Sequence, residues 1–322
     1  MINLYRKNRR SAISFIFHYR NRLYSYDKSL SELLHAPVTY ISDFLSPTIG
    51  RQLSLTLSSH FKKALDLSRF SIGNELPPGY HYLYFHMCHL EDSLAKDGGE
   101  MIYAPLMNWN RRLWAKGSLE YINKNMKYPL RMGFPAISIE KLEKVDWNGR
   151  KEDNISVWTC KEISPLDDQE RPKDVCLRER ICIVYQSVYK MGEKVIEISK
   201  KSWIPDFSCS ITPSQILLFR YSALTFNSHK IHYDYSYLKE EKYDNLLVQG
   251  SLCVVFLLEL LQQNVSSDLR LKSFYYKIQY PLYANFSYKF CGRRLKQLSG
   301  IQYALWVESD NLLHMKGTAE MW

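Results

Sequence analysis

The sequence has no apolar stretch approaching the roughly 18 to 20 residues that a membrane-spanning helix requires. The longest candidate, residues 252–258, is closed by Glu259. The seven cysteines are odd in number and form no C-x-x-C pair, which argues against a disulfide framework and a zinc ribbon and leaves reduced thiols as the default. Thirteen glycines and twelve prolines in 322 residues are too few for a collagen-like or low-complexity chain. No G-x-G-x-x-G, Walker A or G-x-S-x-G motif is present, which disfavours nucleotide binding and α/β-hydrolase chemistry. What is there is 46% hydrophobic, 24% charged and 14% aromatic, the balance of a chain with a real core and room for one large domain or two ordinary ones.

Acid is missing from the first 26 residues. They carry six basic side chains (Arg6, Lys7, Arg9, Arg10, Arg20, Arg22), and the first carboxylate is Asp27. The whole chain has 43 basic against 33 acidic residues, a net +10; without those six, 37 against 33 leaves +4. With Ile13, Phe15, Ile16, Phe17 and Tyr19 set among serines, residues 1–26 have the composition of a mitochondrial targeting segment. The alternative is a basic arm touching nucleic acid or anionic lipid. Because most of the basic excess is confined to this segment, nucleic-acid binding by the rest of the chain is not expected.

Downstream, residues 42–57 read as a helix with Ser46-Pro47 at its start, and Leu76-Pro77-Pro78-Gly79 and Asp97-Gly98-Gly99 as loops. Ile155, Val157 and Thr159 alternate as in a strand, residues 180–185 read as a strand buried on both faces, and the charged stretch 161–173 reads as a surface loop. Near 204–206 the character changes. Thr212, Pro213 and Gln215 open a helix as N-cap, first helical residue and capping-box partner, and Ile216, Phe219, Ala223 and Leu224 form its apolar stripe. A second helix after Gly250 is apolar nearly all round and has to be enclosed. Phe286, Tyr288 and Phe290, then Ile301, Tyr303, Leu305 and Val307, then residues 312–321 follow the period of two of strands. The class is α+β, with a curved antiparallel sheet wrapped round one apolar helix as the economical arrangement. Stretches opening with Pro105-Leu106 and Pro281-Leu282 hint that the first half repeats the second.

Chemistry concentrates between Leu218 and Leu252. A helix ends near Phe226, a loop with His229 and His232 follows, and Gly250 opens the apolar helix. A helix start offers unpaired N–H groups and a positive dipole end, suited to a negative oxygen forming on a substrate. An imidazole beside it moves a proton near neutral pH. Asn227 reads equally well as a left-handed C-cap or a substrate contact. Neither His229-x-x-His232 nor His86-x-x-His89 is completed by a cysteine or acid cluster, so no metal is expected.

The stretch Phe226-Asn227-Ser228-His229-Lys230-Ile231-His232-Tyr233-Asp234 resembles the motif of the MaoC-like hot-dog hydratases and dehydratases, roughly G-D-x-N-P-hydrophobic-H-x-D. Within that group it is most similar to the mitochondrial type 2 hydroxyacyl-thioester dehydratases, related to the mesaconyl-CoA hydratases. Residues 76–85 and 110–117 resemble the same subgroup. The resemblance implies a double hot-dog, with curved sheets each wrapped round a central helix, divided as 27–203 and a catalytic 204–322. It implies a hydro-lyase of mitochondrial fatty acid synthesis in the matrix, without a cofactor. Its substrates would be (3R)-3-hydroxyacyl thioesters of acyl carrier protein or CoA, and a homodimer stays open. His232 falls on the motif histidine and Gly250 on the oxyanion glycine. Asn227 falls on the position of the motif acid, which an amide cannot replace as a proton carrier; it would orient the water or leaving hydroxyl. Ser251 and His229 are expected to contact substrate. Arg220, placed by the helical period in the apolar sector, would pair with Asp234 or reach the pantetheine arm. Asp234 is then an orienting acid. An acyl-CoA hydratase of catabolism and a non-catalytic acyl-thioester binding module are the competing readings.

Overall fold

The computed structural model describes residues 33–61, 63–105, 111–122, 128–146, 154–186, 204–296, 300–310 and 312–322. The expected targeting segment lies outside them, as do residues 106–110 of the first proline-leucine stretch.

The first half runs β1 (Thr39–Phe44), α1 (Pro47–Ser58), β2 (Arg111–Tyr121), β3 (Pro135–Asp146), β4 (Ile155–Pro165) and β5 (Leu177–Gln186). The second runs β6 (Phe207–Ile211), α2 (Gln215–Leu224), α3 (Tyr235–Glu240), α4 (Gly250–Asn264), β7 (Leu271–Ile278), β8 (Tyr288–Leu295), β9 (Ile301–Ser309) and β10 (Leu312–Met321). All ten strands join one antiparallel sheet in the order β1-β3-β4-β5-β2-β7-β10-β9-β8-β6. Each half follows the same order, first-third-fourth-fifth-second, and the two meet where β2 pairs with β7, from Lys116 opposite Lys277 to Glu120 opposite Ser273.

α4 is the centre of the core. Every residue from Ser251 to Leu261 is buried. The Phe256 ring lies 5.4 Å from that of Phe290 on β8, 5.6 Å from His60 and 6.0 Å from Phe61, so both halves of the chain cover it. Fully burying each such leucine, valine or phenylalanine contributes roughly 1.5–3 kcal/mol, which outweighs the β-branched residues' modest helix propensity. Glu259, 1% exposed in this apolar surround, is held by Arg69, whose guanidinium also donates to Tyr80 Oη at 2.7 Å.

Several expectations need correction. The sheet is continuous rather than two separate sheets, and only the second half encloses its helix: α1 buries one face (Gly50, Leu53, Ser54, Leu57) and exposes Leu55. Residues 161–165 belong to β4, where Ile163 is fully buried, so the surface loop begins later. β5 does not bury both faces: between Arg180 and Tyr185 only Cys182 and Tyr185 are buried. The N-cap of α2 is Ser214, whose hydroxyl accepts from Leu217 N, and not Thr212. The buried face of α2 is Leu217, Leu218, Tyr221 and Ser222, while Ile216 and Phe219 are exposed. The repeat exists as strand order but not in the proline-leucine register: Pro105 precedes β2, whereas Pro281 follows β7, the strand that matches β2.

Candidate active site

α2 ends in a Schellman motif. Asn227 N donates to Ser222 O (2.9 Å) and Phe226 N to Ala223 O (3.4 Å). Phe226, and not Asn227, takes the left-handed conformation (φ 50°). This sharp stop throws the chain into the loop that carries both histidines. Asn227 Oδ1 accepts from His229 N at 3.0 Å, so the side chain at the motif's acid position shapes the loop.

His232 closes the short turn Lys230–His232 and is buried. Its Nδ1–H donates to Leu247 O at 2.8 Å, and Leu247 N donates back to Ile231 O at 2.9 Å. A carbonyl only accepts, so the neutral ring keeps its lone pair on Nε2. Burial, reinforced by His229, lowers the His232 pKa to about 3 against the partial support of Leu247 O. Imidazole, not imidazolium, is therefore the resting form.

The same strand-like segment that holds His232 leads into α4. Val248 N donates to Leu282 O at 2.8 Å, and Gln249 ties α2 to the head of α4 through Nε2 to Leu218 O (3.0 Å) and Ser222 Oγ (2.8 Å). Its Oε1 is buried without a partner. No side chain caps α4, and the first-turn amides of a helix have no acceptor within it. Gly250 sits against Trp114 of β2 and Ile278 of β7; a Cβ there would lie 3.0 Å from the indole. Trp114 Nε1 in turn donates to Tyr276 Oη at 2.8 Å. Ser251 is buried at the next position. A separate cavity of about 540 Å³ opens at the other end of α4, by Pro78, Tyr121, Leu258 and Trp322, and is remote from these groups.

The first half reaches into the histidine loop. His229 Nε2 lies 3.1 Å from Asp97 Oδ2, and Arg112 of β2 donates to both Asp97 oxygens at 2.7 Å. Burial would raise the Asp97 carboxyl, but His229, Arg112 and the Gly99 N–H together hold it well below the ordinary range. Burial lowers the His229 pKa, with Asp97 opposing. Lys230 N donates to Asp97 O and Ser228 Oγ to Gly98 O, each at 2.7 Å. Gly98 is obligatory here: its φ is +78°, and a Cβ would lie 2.1 Å from Ser228 O.

The structure thus gathers Asn227, His229, His232, Gly250 and Ser251 around the loop and the head of α4. It does not bring Arg220 in. Arg220 is exposed on α2, and Asp234, its expected partner, instead caps α3 by accepting from Ser236 N (2.9 Å) and Tyr237 N (3.2 Å). The helical period failed because α2 turns Ile216 and Phe219 outward. Asp97, Arg112 and Trp114 are the site residues that motif spacing missed. The only sequence signal was the resemblance over 110–117, which contains two of them.

A family model described as "Hydroxyacyl-thioester dehydratase type 2" matches residues 79–284. The chain is 28% identical over 268 residues to the mitochondrial hydroxyacyl-thioester dehydratase type 2 of Schizosaccharomyces pombe, covering 78% of this chain and 88% of that one. It is 31% identical over 219 residues to the mesaconyl-C(4)-CoA hydratase of Chloroflexus aurantiacus, covering 65% and 71%. Among solved structures, a MaoC-like dehydratase from Phytophthora capsici superposes with a TM-score of 0.63 at 14% identity, over 92% of this chain and 98% of the other. The matched span includes every residue just described around the loop and the head of α4, and with it the chain belongs to the hydroxyacyl-thioester dehydratase type 2 family, as a hydro-lyase of the MaoC-like hot-dog type.

Proposed function

We propose that this protein interconverts (3R)-3-hydroxyacyl thioesters and trans-2-enoyl thioesters, and that it does so in mitochondrial fatty acid synthesis in the matrix. The observation that carries the reading is the tie between His232 and the head of α4: the Leu247 carbonyl that sets the imidazole tautomer is three residues before Gly250. The substrate carbonyl would accept from the Gly250 N–H, where the helix dipole and the amide stabilise enolate-like charge. His232 Nε2 would take a proton from the carbon α to that carbonyl, and a proton would return to the departing 3-hydroxyl. Holding His232 neutral keeps the base available; developing negative charge on the thioester oxygen offsets the cost of its protonation. Asn227 serves this scheme by shaping the loop, and Ser251 by lining the approach to the amide. No resident cofactor enters the scheme.

The double hot-dog reading, divided as 27–203 and 204–322, is supported by the shared strand order of the halves. The residues 1–26 composition and the naming of the yeast relatives as mitochondrial support the location. An acyl carrier protein is the preferred carrier, and a homodimer stays open as the assembly. The amide at position 227 favours a second reading, a binding module that holds enoyl thioesters without hydrating them.

The test is incubation of protein lacking residues 1–26 with a short trans-2-enoyl-CoA, following loss of the conjugated double bond. Hydration is expected, and His232→Ala should lower it by about 10² to 10⁴ with the fold retained. Binding without turnover by the unmodified protein would favour the module. Comparing CoA with carrier-protein thioesters separates the catabolic hydratase.

A further inference from the structure

An elimination needs two proton transfers, one from carbon and one to oxygen. His232 accounts for the first. The family motif would place a carboxylic acid at position 227 for the second, but Asn227 has none to give and its oxygen is taken by the His229 amide. We infer that the missing acid is supplied by His229, a second proton carrier held by Asp97 and Arg112 from the other half of the chain. This rests on the dehydratase reading above.

Three observations carry it. His229 Nε2 is engaged by Asp97, which leaves Nδ1 to exchange a proton, the arrangement of an imidazole oriented by a buried carboxylate. Asp97 is itself fixed by two bonds from Arg112 and one from Gly99 N, and the loops are joined by main-chain contacts at Lys230 and Gly98. The His229 and His232 ring centres are 5.7 Å apart and the rings nearly perpendicular, a spacing on the scale of a fragment whose α-carbon and 3-hydroxyl are two bonds apart.

The step balances. His232 Nε2 takes the α proton, and that C–H electron pair becomes the C2–C3 double bond. The C3–O bond breaks, and the hydroxyl takes a proton from Nδ1 of protonated His229 and leaves as water. His232 returns its proton to His229 through solvent. Asp97 is a positioning residue: it fixes the ring and favours its protonated form against burial, which lowers the His229 pKa. The other groups facing His229 are Arg112 on β2, which opposes protonation, Glu241 beyond α3, which favours it, and His232; Tyr237 of α3 lies beside Asp97.

The experiment measures kcat and KM against pH in both directions for wild type, His232→Ala, Asp97→Asn and His229→Gly, with circular dichroism as the check on folding. Dehydration requires protonated His229, so its rate falls at high pH. Removing the Asp97 charge should move that limb to lower pH. We expect kcat to fall about 10²-fold in Asp97→Asn with KM within threefold, and free imidazole to restore His229→Gly at least tenfold. A folded His229→Gly within threefold of wild type, or one that imidazole does not rescue, overturns the assignment, as does an unmoved limb in Asp97→Asn. Should Asp97→Asn not fold, the His229→Gly rescue decides alone. If wild type itself is inactive, the dehydratase reading fails; if only His232→Ala is impaired, this inference fails alone.

Discussion

At the scale of single residues, the chemistry of this protein depends on which atom of each polar side chain is already engaged. His232 commits Nδ1 to a carbonyl and His229 commits Nε2 to a carboxylate, so these bonds engage opposite nitrogens of the two rings. Keeping His232 neutral has a stability consequence whose sign is fixed. Its pKa is about 3 in the fold against 6.5 when unfolded. Between those values the unfolded chain binds the extra proton, so stability rises with pH and is lost on acidification, by up to about 1.4 kcal/mol for each pH unit. Denaturant unfolding of His232→Gln between about pH 4 and 6 should therefore show a shallower pH dependence than wild type; equal slopes would mean that the ring is not held neutral. The motif singled out His232. The engagement of His229 was not legible, because Asp97 lies in what the sequence presents as an ordinary Asp-Gly-Gly turn.

At the scale of elements, α4 shows how a pattern visible in sequence acquires its meaning. Apolarity on all sides predicted an enclosed helix, and burial from Ser251 to Leu261 agrees. The one charge within it, Glu259, is tolerated because Arg69 and Tyr80 arrive from the first half. Arg69→Ala should destabilise the protein by about 3 kcal/mol by stranding a buried carboxylate, whereas the double change Arg69→Met with Glu259→Leu should recover most of the loss. Unfolding midpoints in denaturant check both; a double variant no better than the single one would mean that the pair contributes through packing instead. α2 teaches the reverse lesson. Its apolar residues are spread round the helix, so periodicity selected Ile216 and Phe219 for the core when the buried face is that of Leu217, Leu218 and Tyr221. With that face reversed, Arg220 went outward too.

At the scale of the whole molecule, the two halves share one core, and the first half holds the histidine loop of the second. Phe256 is covered by His60 and Phe61, Val255 and Leu258 are met by Gly79, and the histidine loop is pinned by Asp97 and Arg112. A polypeptide of residues 204–322 alone would expose most of one side of α4 and leave Glu259 unpaired. It is expected to be insoluble or molten and inactive, and co-expression with residues 27–203 to restore both solubility and turnover; an independently folded, active 204–322 fragment would refute a shared site.

The sequence by itself determined the α+β class, the last three strands and the enclosed helix, because periodicity is a local property that a short window of chain carries. Only the tertiary structure decided that the ten described strands make one sheet, which face of α2 is inside, and that Asp97 and Arg112 reach the histidine loop. Those outcomes depend on contacts between segments far apart in the chain, where the free energy belongs to the pair and neither partner's neighbourhood in sequence records it.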